Sequence, residues 1–466
     1  MSIIEGLLIF IAILSSYFMI VFILHKKGIL KKYNLSFTGP FLLLRTKKGR
    51  GFLKKIASKK RFWKAYGSFA IVLAIIIMSI MVIIFVWQFS WLIGLDITAE
   101  QKAELPGPEF ALVLPGINPI IPLEYLFYVI LAFIIAIIVH EFSHGILTYA
   151  SDLKVKTMGL IYLIVPMGAF VEPDEEQLKK TTIAKRMRIF AAGPIANFVV
   201  VLITIMLFSF VFMSSVEPIQ PIKEGVTVFE VIENSPADKI SITKRSVILS
   251  INETELSDYE NFDSRFLAFS QAISQINSND TVNISYYYNG KYYDKNITVD
   301  DKYNYTGNIT DIGKAFTGIY SFIPIESHLE ILKNPITTSF PDGFLFFFVL
   351  PITSYFEGYN PIVSPFTDSY EINGPLGALP AGFFWFIVNA LYWVFWLNLM
   401  VGLFNVLPMG PLDGGYLFKD LIRGLVKKIK KGISEEKLEK IVKNVSLVIS
   451  LTILFLILFP FLFKYI

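Results

Sequence analysis

Residues 124–150 read EYLFYVILAFIIAIIVHEFSHGILTYA, an apolar stretch that carries two histidines and a glutamate near its end. A helix that crosses a bilayer needs about 20 consecutive, mostly apolar residues, and this stretch is long enough. Ionisable side chains are costly inside such a helix, so their presence there indicates a functional site. The stretch therefore predicts a membrane helix that contains a chemically active site.

The composition of the whole chain agrees with a membrane protein. Of its 466 residues, 54% are hydrophobic and 17% are charged, whereas soluble domains usually carry about 25% charged residues. This composition excludes a disordered chain, a collagen-like repeat and an ordinary cytosolic enzyme. The sequence contains no cysteine, which excludes disulfides, cysteine-ligated zinc, iron–sulfur clusters and thiol catalysis.

Five further apolar blocks are long enough to cross a membrane, which makes six predicted spans with both termini outside. The segment 25–64 is rich in Lys and Arg and has no acid, so the positive-inside rule predicts a cytosolic loop. A nucleic-acid-binding patch is the alternative, and the flanking spans favour the topological interpretation. The short apolar stretch 344–356 suits a re-entrant or interfacial segment. The predicted spans are 4–24, 68–95, 124–150, 189–212, 381–407 and 445–463.

This pattern predicts an α-helical integral membrane protein with about six transmembrane helices and an extracytoplasmic α+β domain. The long polar insert after the fourth span falls outside by the same topology. Its clustered Asn-x-Ser/Thr sequons suit an external domain, and the alternative is that they reflect a segment rich in Asn. The predicted regions are an N-terminal two-helix region with a basic cytosolic loop (1–115), the first part of a membrane core (116–215), the external insert (216–335), an interfacial or re-entrant segment (336–375), the second part of the core (376–420), and a basic cytosolic loop with the last helix (421–466).

His140 and His144 stand four residues apart with Glu141 beside the first, which forms an H-E-x-x-H pattern. On a helix, positions i and i+4 share one face, so both imidazoles can bind one metal ion. Glu141 is then placed to take a proton from a water molecule beside the ion. The alternative is a pair of histidines that satisfy neighbouring helices, and the apolar surroundings favour the metal.

A catalytic zinc site usually has three protein ligands, and Asp413 is the best candidate for the third. It lies in NVLPMGPLDGG, residues 405–415, where the span 381–407 ends. The alternative is a turn rich in Pro and Gly, with Asp413 as the N-cap of the next helix. The charge rule makes both motif-bearing helices run inward. His140 and Asp413 can therefore reach a similar depth in the membrane.

These motifs resemble those of the site-2 protease family of intramembrane zinc metalloproteases. Residues 140–144 match the family's H-E-x-x-H, residues 405–414 match its N-x-x-P-x-x-x-L-D-G, and residues 193–197 (GPIAN) resemble its G-P-x-x-N. The resemblance implies a Zn²⁺ ion bound by His140, His144 and Asp413, with Glu141 as the catalytic carboxylate. It also implies that four residues position the substrate or support the site, namely Asn197, Asn405, Gly193 and Pro194.

The resemblance extends to two further segments. Residues 158–171 occupy the place of a membrane-associated β-hairpin whose free edge could bind an extended peptide by strand addition; the alternative is a buried hairpin without a substrate role. The insert resembles a PDZ domain, with a strand opening at 225–228, a short helix starting at 235–237, and a strand and turn at 247–252. Arg245-Ser246 replaces the usual Gly-Asp, which argues against peptide-tail binding. The alternative is a generic α+β insert.

The resemblance implies a zinc metalloendopeptidase that hydrolyses peptide bonds within transmembrane segments of membrane-anchored substrates, as in regulated intramembrane proteolysis. We expect a multi-pass protein of a prokaryotic cell membrane that acts on single-span membrane proteins in the lipid bilayer, without a nucleic-acid partner. One alternative is a metal- or proton-coupled transporter, which predicts internal repeats that we do not find in the sequence. Others are a non-catalytic scaffold and a membrane metalloprotease class with a Glu as third ligand, and the intact motifs count against both.

Overall fold

The computed structural model divides the chain into two compact units. One unit combines Met1–Thr204 with Trp393–Ile466, and the other is Ile205–Tyr392. The structure describes residues 3–38, 41–95, 98, 102, 105–111, 116–163, 165–218, 225–260, 262–323, 325–336, 341–364 and 366–465.

Helices dominate the described part of the chain. They are α1 (Ile3–Lys26), α2 (Ile29–Lys32), α3 (Arg50–Ile56), α4 (Lys60–Ile93), α5 (Leu126–Ala150), α6 (Glu175–Lys180), α7 (Ile183–Met206), α8 (Pro236–Lys239), α9 (Phe262–Ser274), α10 (Tyr303–Thr306), α11 (Ile325–Lys333), α12 (Asp342–Glu357), α13 (Ala381–Asn405), α14 (Asp413–Ile429) and α15 (Glu435–Phe463).

The strands are shorter, and most of them belong to two sheets. They are β1 (Leu35–Thr38), β2 (Phe41–Thr46), β3 (Val155–Leu163), β4 (Val165–Pro173), β5 (Val216–Pro218), β6 (Val226–Val231), β7 (Val247–Ile251), β8 (Thr254–Glu255), β9 (Thr281–Tyr288), β10 (Lys291–Thr298), β11 (Asp300–Asp301), β12 (Ala315–Phe316), β13 (Ile319–Ile323) and β14 (Tyr370–Ile372).

Long apolar helices make this a multi-pass membrane protein by length and composition. In the described part of the chain, five helical segments are long and apolar enough to cross a bilayer, and they correspond to five of the six predicted spans. The predicted span 4–24 coincides with α1; most side chains in the first half of α1 lie outside the described residues. The count of six spans and their orientation therefore stay predictions. The five segments are Lys60–Ile93, Leu123–Ala150, Ile183–Ser215, Ala381–Asn405 and Glu435–Phe463.

Helix α4 packs against its neighbours through small side chains. Gly67, Ala70 and Ala74 recur at helical spacing and are buried. A Cβ atom on Gly67 would lie 2.8 Å from a methyl of Leu147 in α5 and 3.0 Å from the side chain of Arg188 in α7. Small residues let helix backbones approach closely where lipid supplies no hydrophobic driving force for association. This packing places α5 and α7, which carry two of the sequence motifs, side by side.

The predicted hairpin 158–171 is part of a larger sheet. Strands β3 and β4 pair antiparallel, and β2 and β1 continue the sheet in the order β1-β2-β3-β4. A Cβ atom on Gly159 would lie 1.9 Å from the carbonyl oxygen of Leu44, so β2 and β3 approach each other at a position that only glycine fits. Among the described residues, β4 is the edge strand of this sheet next to α5.

Two of the regions predicted to hold basic cytosolic loops contain regular secondary structure, and their cytosolic location stays a prediction. The segment 25–64 contains β1, β2 and α3, and α4 already begins at Lys60. In the predicted region 421–466, residues 421–429 form the second half of α14, and α15 begins at Glu435. In α14 the apolar side chains recur with helical period, while Lys427 and Lys428 lie in its last turn, where they complement the helix dipole. The Lys and Arg residues of this segment were interpreted only as a sign of topology, so the helical period of its apolar residues was not recognised in the sequence.

In the second unit, the insert forms a six-stranded sheet in the order β10-β9-β7-β6-β13, with β8 paired to β7. The predicted local elements are present: β6, α8 and β7, with the Ser235 side chain accepting a hydrogen bond from the Asp238 N–H at the start of α8. The apolar stretch 344–356 lies in α12, a 16-residue helix that is not among the five long segments. Strand β14 pairs with β5.

Candidate metal centre

Helix α5 presents two imidazoles on one face. His140 and His144 are one helical turn apart and buried, and their ring centroids lie 4.8 Å from each other. Both residues fall in the second half of a mostly apolar helix. The helix therefore brings two imidazoles together within a segment that is long and apolar enough to cross a membrane, as the i, i+4 spacing predicts.

The carboxylate of Asp413 meets both imidazoles. Its Oδ2 atom lies 2.9 Å from Nε2 of His140 and 3.1 Å from Nε2 of His144. Asp413 is the first residue of α14, and Leu412 occupies the N-cap position. Two glycines follow at the tight turn: a Cβ atom on Gly414 would lie 2.2 Å from the Val406 carbonyl oxygen. The turn thus directs the Asp413 side chain towards α5 instead of capping its own helix.

Each imidazole is oriented through its other ring nitrogen. Nδ1 of His140 lies 3.1 Å from Oδ1 of Asn197, and Nδ1 of His144 lies 2.7 Å from the carbonyl oxygen of Ile189. Both partners come from α7 and accept hydrogen bonds, so each Nδ1 carries the proton and each Nε2 is left to bind a metal. Such outer partners orient metal ligands and raise their basicity. This is where the structure places the predicted residue Asn197.

Gly193 leaves the space that the two Nε2 atoms need. A Cβ atom there would lie 2.4 Å from Nε2 of His144 and 2.7 Å from Nε2 of His140. Any larger residue would intrude on the ligand nitrogens. Pro194 follows inside α7 and has no N–H to donate to the preceding turn. Its predicted supporting role stays a prediction.

The side-chain hydrogen bond of Asn405 stays within its own helix. Its side-chain amide donates to the carbonyl oxygen of Val401 at 3.0 Å, one turn back in α13. The structure thus explains Asn405 as a residue that satisfies its own helix near its end. The predicted role in substrate positioning stays a prediction.

The donor set fits a tetrahedral metal ion. One ligand atom each from His140, His144 and Asp413 lies within 4.8 Å of the others. With zinc–ligand bonds of about 2.0 Å, neighbouring ligands of a tetrahedral site lie about 3.3 Å apart, close to the two distances from Asp413 to the imidazoles. A carboxyl group binds a metal ion in its ionised form, and the approach of Oδ2 of Asp413 to two Nε2 atoms that carry no proton fits a cation held among the three.

Glu141 faces the sheet. Its Oε2 atom accepts a hydrogen bond of 2.8 Å from the main-chain N–H of Val171, in the edge strand β4. The peptide N–H of Val171 thus points away from β3 and towards α5. This contact places the predicted catalytic carboxylate, which adjoins His140 in α5, against the edge strand β4.

Comparison with known proteins agrees with this centre. The model of peptidase family M50 matches residues 128–453, which is well over half of the chain and includes every residue of the candidate metal centre. The chain belongs to peptidase family M50. Membership in family M50 indicates a membrane metalloprotease of the site-2 type, and the resemblance inferred from the three motifs is confirmed.

Two curated proteins are similar to this chain over most of their own length. An uncharacterised protein of Methanocaldococcus jannaschii is 26% identical over 384 residues, which cover 81% of this chain and 77% of that protein. A protein of Clostridium acetobutylicum, provisionally named a zinc metalloprotease, is 25% identical over 333 residues, covering 64% of this chain and 87% of that protein.

Among solved structures, the PDZ domain of an SdrC-like protein from Listeria monocytogenes is similar to 22% of this chain and 88% of that domain, with 20% identity and a TM-score of 0.17. The PDZ-like character of the insert stays a prediction.

Two partners in the family M50 centre were not found from the sequence. The carbonyl oxygen of Ile189 and the N–H of Val171 are main-chain atoms. Every residue has a main-chain carbonyl and every residue except proline has an N–H, so no sequence signal marks the positions. Only the placement of α7 and β4 beside α5 shows that these atoms reach the metal motif.

Proposed function

We propose that this protein is an intramembrane zinc metalloprotease that hydrolyses peptide bonds within the transmembrane segments of membrane-anchored proteins. The observation that carries the proposal is the meeting of His140, His144 and Asp413 across 273 residues of sequence, in a chain with five candidate spans. Membership in family M50 supports the proteolytic class. Regulated intramembrane proteolysis in a prokaryotic cell membrane is the process that fits such a site.

The residues of the centre divide the chemistry among them. A zinc ion held by the two imidazoles and the Asp413 carboxylate would polarise the scissile carbonyl and make a water molecule more acidic. Glu141 takes the proton from that water and delivers it to the leaving amine. Asn197 and the Ile189 carbonyl keep both imidazoles in the tautomer that leaves Nε2 unprotonated.

The free edge of β4 is the proposed binding site for the substrate backbone. A transmembrane helix has its carbonyl groups tied up in helical hydrogen bonds, so a substrate must unwind before attack, most easily where Gly or Pro weakens the helix. The unwound segment can pair with an edge strand by strand addition. Because the Val171 N–H contacts Glu141, a peptide paired with β4 would pass directly beside the catalytic carboxylate.

The test uses the full-length protein in vesicles together with a panel of single-span substrates, and measures bound zinc and peptide cleavage. Glu141→Gln should reduce cleavage below detection while zinc remains bound, because the amide cannot accept the proton. Retained cleavage in Glu141→Gln would refute the assigned role. Metal-dependent ion flux in vesicles without any peptide cleavage would instead support the transporter alternative and refute the protease.

A further inference from the structure

A buried ion pair joins α7 to α14 at a distance from the metal centre. The guanidinium of Arg186 donates from Nε to Oδ2 of Asp420 at 2.9 Å and from Nη2 to Oδ1 at 2.6 Å. The Arg186 side chain is 11% exposed and that of Asp420 is 6% exposed. Nη1 of Arg186 also donates to the carbonyl oxygen of Thr181 at 3.1 Å, so the guanidinium is held on both sides.

The same two helices meet again closer to the centre. Phe190 of α7 stacks on Tyr416 of α14, with ring centroids 4.8 Å apart and an angle of 13° between the rings. Met187 and Ala191 of α7 belong to the same buried apolar cluster as Leu417 of α14. The two helices therefore pack antiparallel along an apolar seam, with the ion pair at one end and the metal ligands at the other.

The spacing along both helices is the same. Arg186 precedes Gly193 by seven residues, and Asp420 follows Asp413 by seven residues. Seven residues are about two helical turns, or roughly 10.5 Å, and return to nearly the same face of the helix. A Cβ atom on Gly193 would lie within 2.7 Å of the two Nε2 atoms that Oδ2 of Asp413 also approaches. A pair fixed at Arg186 and Asp420 thus sets where Asp413 lies relative to α5 and α7.

We propose that Arg186 and Asp420 are positioning residues that fix the register of α14 against α7 and so hold Asp413 at the two imidazoles. The inference rests on the proposed metalloprotease function and adds to it a determinant of the third ligand's position. An apolar seam tolerates sliding and rotation of one helix on another. A bidentate pair between a planar guanidinium and a carboxylate has one favoured geometry, and setting register is the best-attested use of a buried ionic group.

The first variant is Asp420→Asn, which keeps the shape of the side chain and removes its charge. Metal affinity, measured by competition with a chelator, should fall about 2- to 30-fold, the range expected for residues that are coupled to a site without touching its ligands. In the cobalt(II)-loaded protein, the visible absorption bands should shift because the Asp413 carboxylate is displaced. Cleavage of a single-span substrate should lose a similar factor in kcat, with KM changed less than about twofold because substrate contacts are untouched.

A second variant is needed because Asp420→Asn leaves the buried charge of Arg186 without its carboxylate partner, and the protein with that single change can fail to fold. Arg186→Met combined with Asp420→Leu removes both charges at once, and such replacements of buried pairs are often tolerated. This double variant should keep the wild-type helical content and unfolding temperature. It should still show the weakened metal binding and the altered cobalt spectrum, because the apolar pair no longer sets the register.

A readout without metal tests the register directly. The chain has no cysteine, so Ala184→Cys on α7 and Leu425→Cys on α14, both exposed positions, can carry two spin labels. The distance distribution between the labels in the metal-free protein should be narrow with the ion pair intact. With the double variant it should broaden or shift by up to about 5 Å, one helical turn.

The matched control is Glu435→Gln, which breaks the exposed 2.7 Å pair between Lys427 of α14 and Glu435 of α15. It should keep wild-type metal affinity, spectrum and label distances. If the Arg186 and Asp420 variants behave like this control, the positioning role is refuted. If the wild-type protein binds metal but cleaves no substrate, the proposed protease function is refuted. The positioning role of Arg186 and Asp420 is then tested by the metal affinity, the cobalt spectrum and the distances between the spin labels. A wild type that binds no metal refutes both.

Discussion

At the scale of single residues, the metal centre depends on a glycine without a side chain as much as on its ligands. Gly193 has no side chain, and a Cβ atom there would lie within 2.7 Å of both ligand nitrogens. Gly193→Ala should therefore weaken metal binding at least about tenfold, since the methyl must displace one imidazole. Gly424→Ala in α14 is the control, because nothing lies within 4 Å of its Cβ position. Chelator competition on both variants is the measurement, and equal affinities would contradict this account.

Single residues also show what the sequence could predict about the site. His140, Glu141, His144 and Asp413 were identified because their side chains have a specific chemistry and a recognisable spacing. The buried pair of Arg186 and Asp420 was not identified, since one charged residue in each of two distant segments forms no pattern until the helices are placed. Residues that act through packing or through main-chain atoms leave still less trace in the sequence.

At the scale of elements, the sheet beside α5 owes its form to one close approach. Gly159 in β3 faces the carbonyl oxygen of Leu44 in β2. Gly159→Ala should push β2 away from β3 and destabilise the protein by about 1–3 kcal/mol, the usual cost of overpacking. The control is Gly168→Ala on β4, where the new methyl would lie 3.7 Å from the side chain of Ile161, an ordinary van der Waals contact. Thermal unfolding of both variants tests this, and an unchanged unfolding temperature in Gly159→Ala would count against the contact.

The same sheet shows why elements were only partly predictable. The hairpin of β3 and β4 was expected, whereas β1 and β2 were hidden in a segment whose Lys and Arg residues were interpreted as a topology signal. Long apolar helices stand out in any sequence because about 20 apolar residues have few other uses. Short strands and the amphipathic α14 do not, since their apolar positions are few and lie among charges.

At the scale of the whole molecule, stability should depend on pH through a half-buried histidine of the second unit. Nδ1 of His328 lies 2.9 Å from the Tyr359 hydroxyl, and burial lowers the pKa of His328 to about 4. An unfolded histidine titrates near 6.5. The unfolded chain thus binds this proton first, so the stability contributed by neutral His328 is complete above about pH 6.5 and decreases as the pH falls towards 4.

Melting temperatures between pH 7.5 and 4.5 test this dependence. His328→Gln should flatten the decrease below pH 6.5, because the amide does not titrate. His25→Gln, at an exposed position of α1, should keep the wild-type slope. If His328→Gln lost as much stability on acidification as the wild type, neutral His328 would not be the origin of the effect.

The sequence separation within the metal centre also affects when the enzyme can become active. Asp413 meets imidazoles that precede it by 273 and 269 residues. At about 5–20 residues per second, a ribosome needs roughly 15–55 s to synthesise that interval. A nascent chain therefore inserts its histidine-bearing helix long before the carboxylate exists. A nascent chain that still lacks Asp413 therefore has an incomplete metal centre and stays inactive while other membrane proteins surround it.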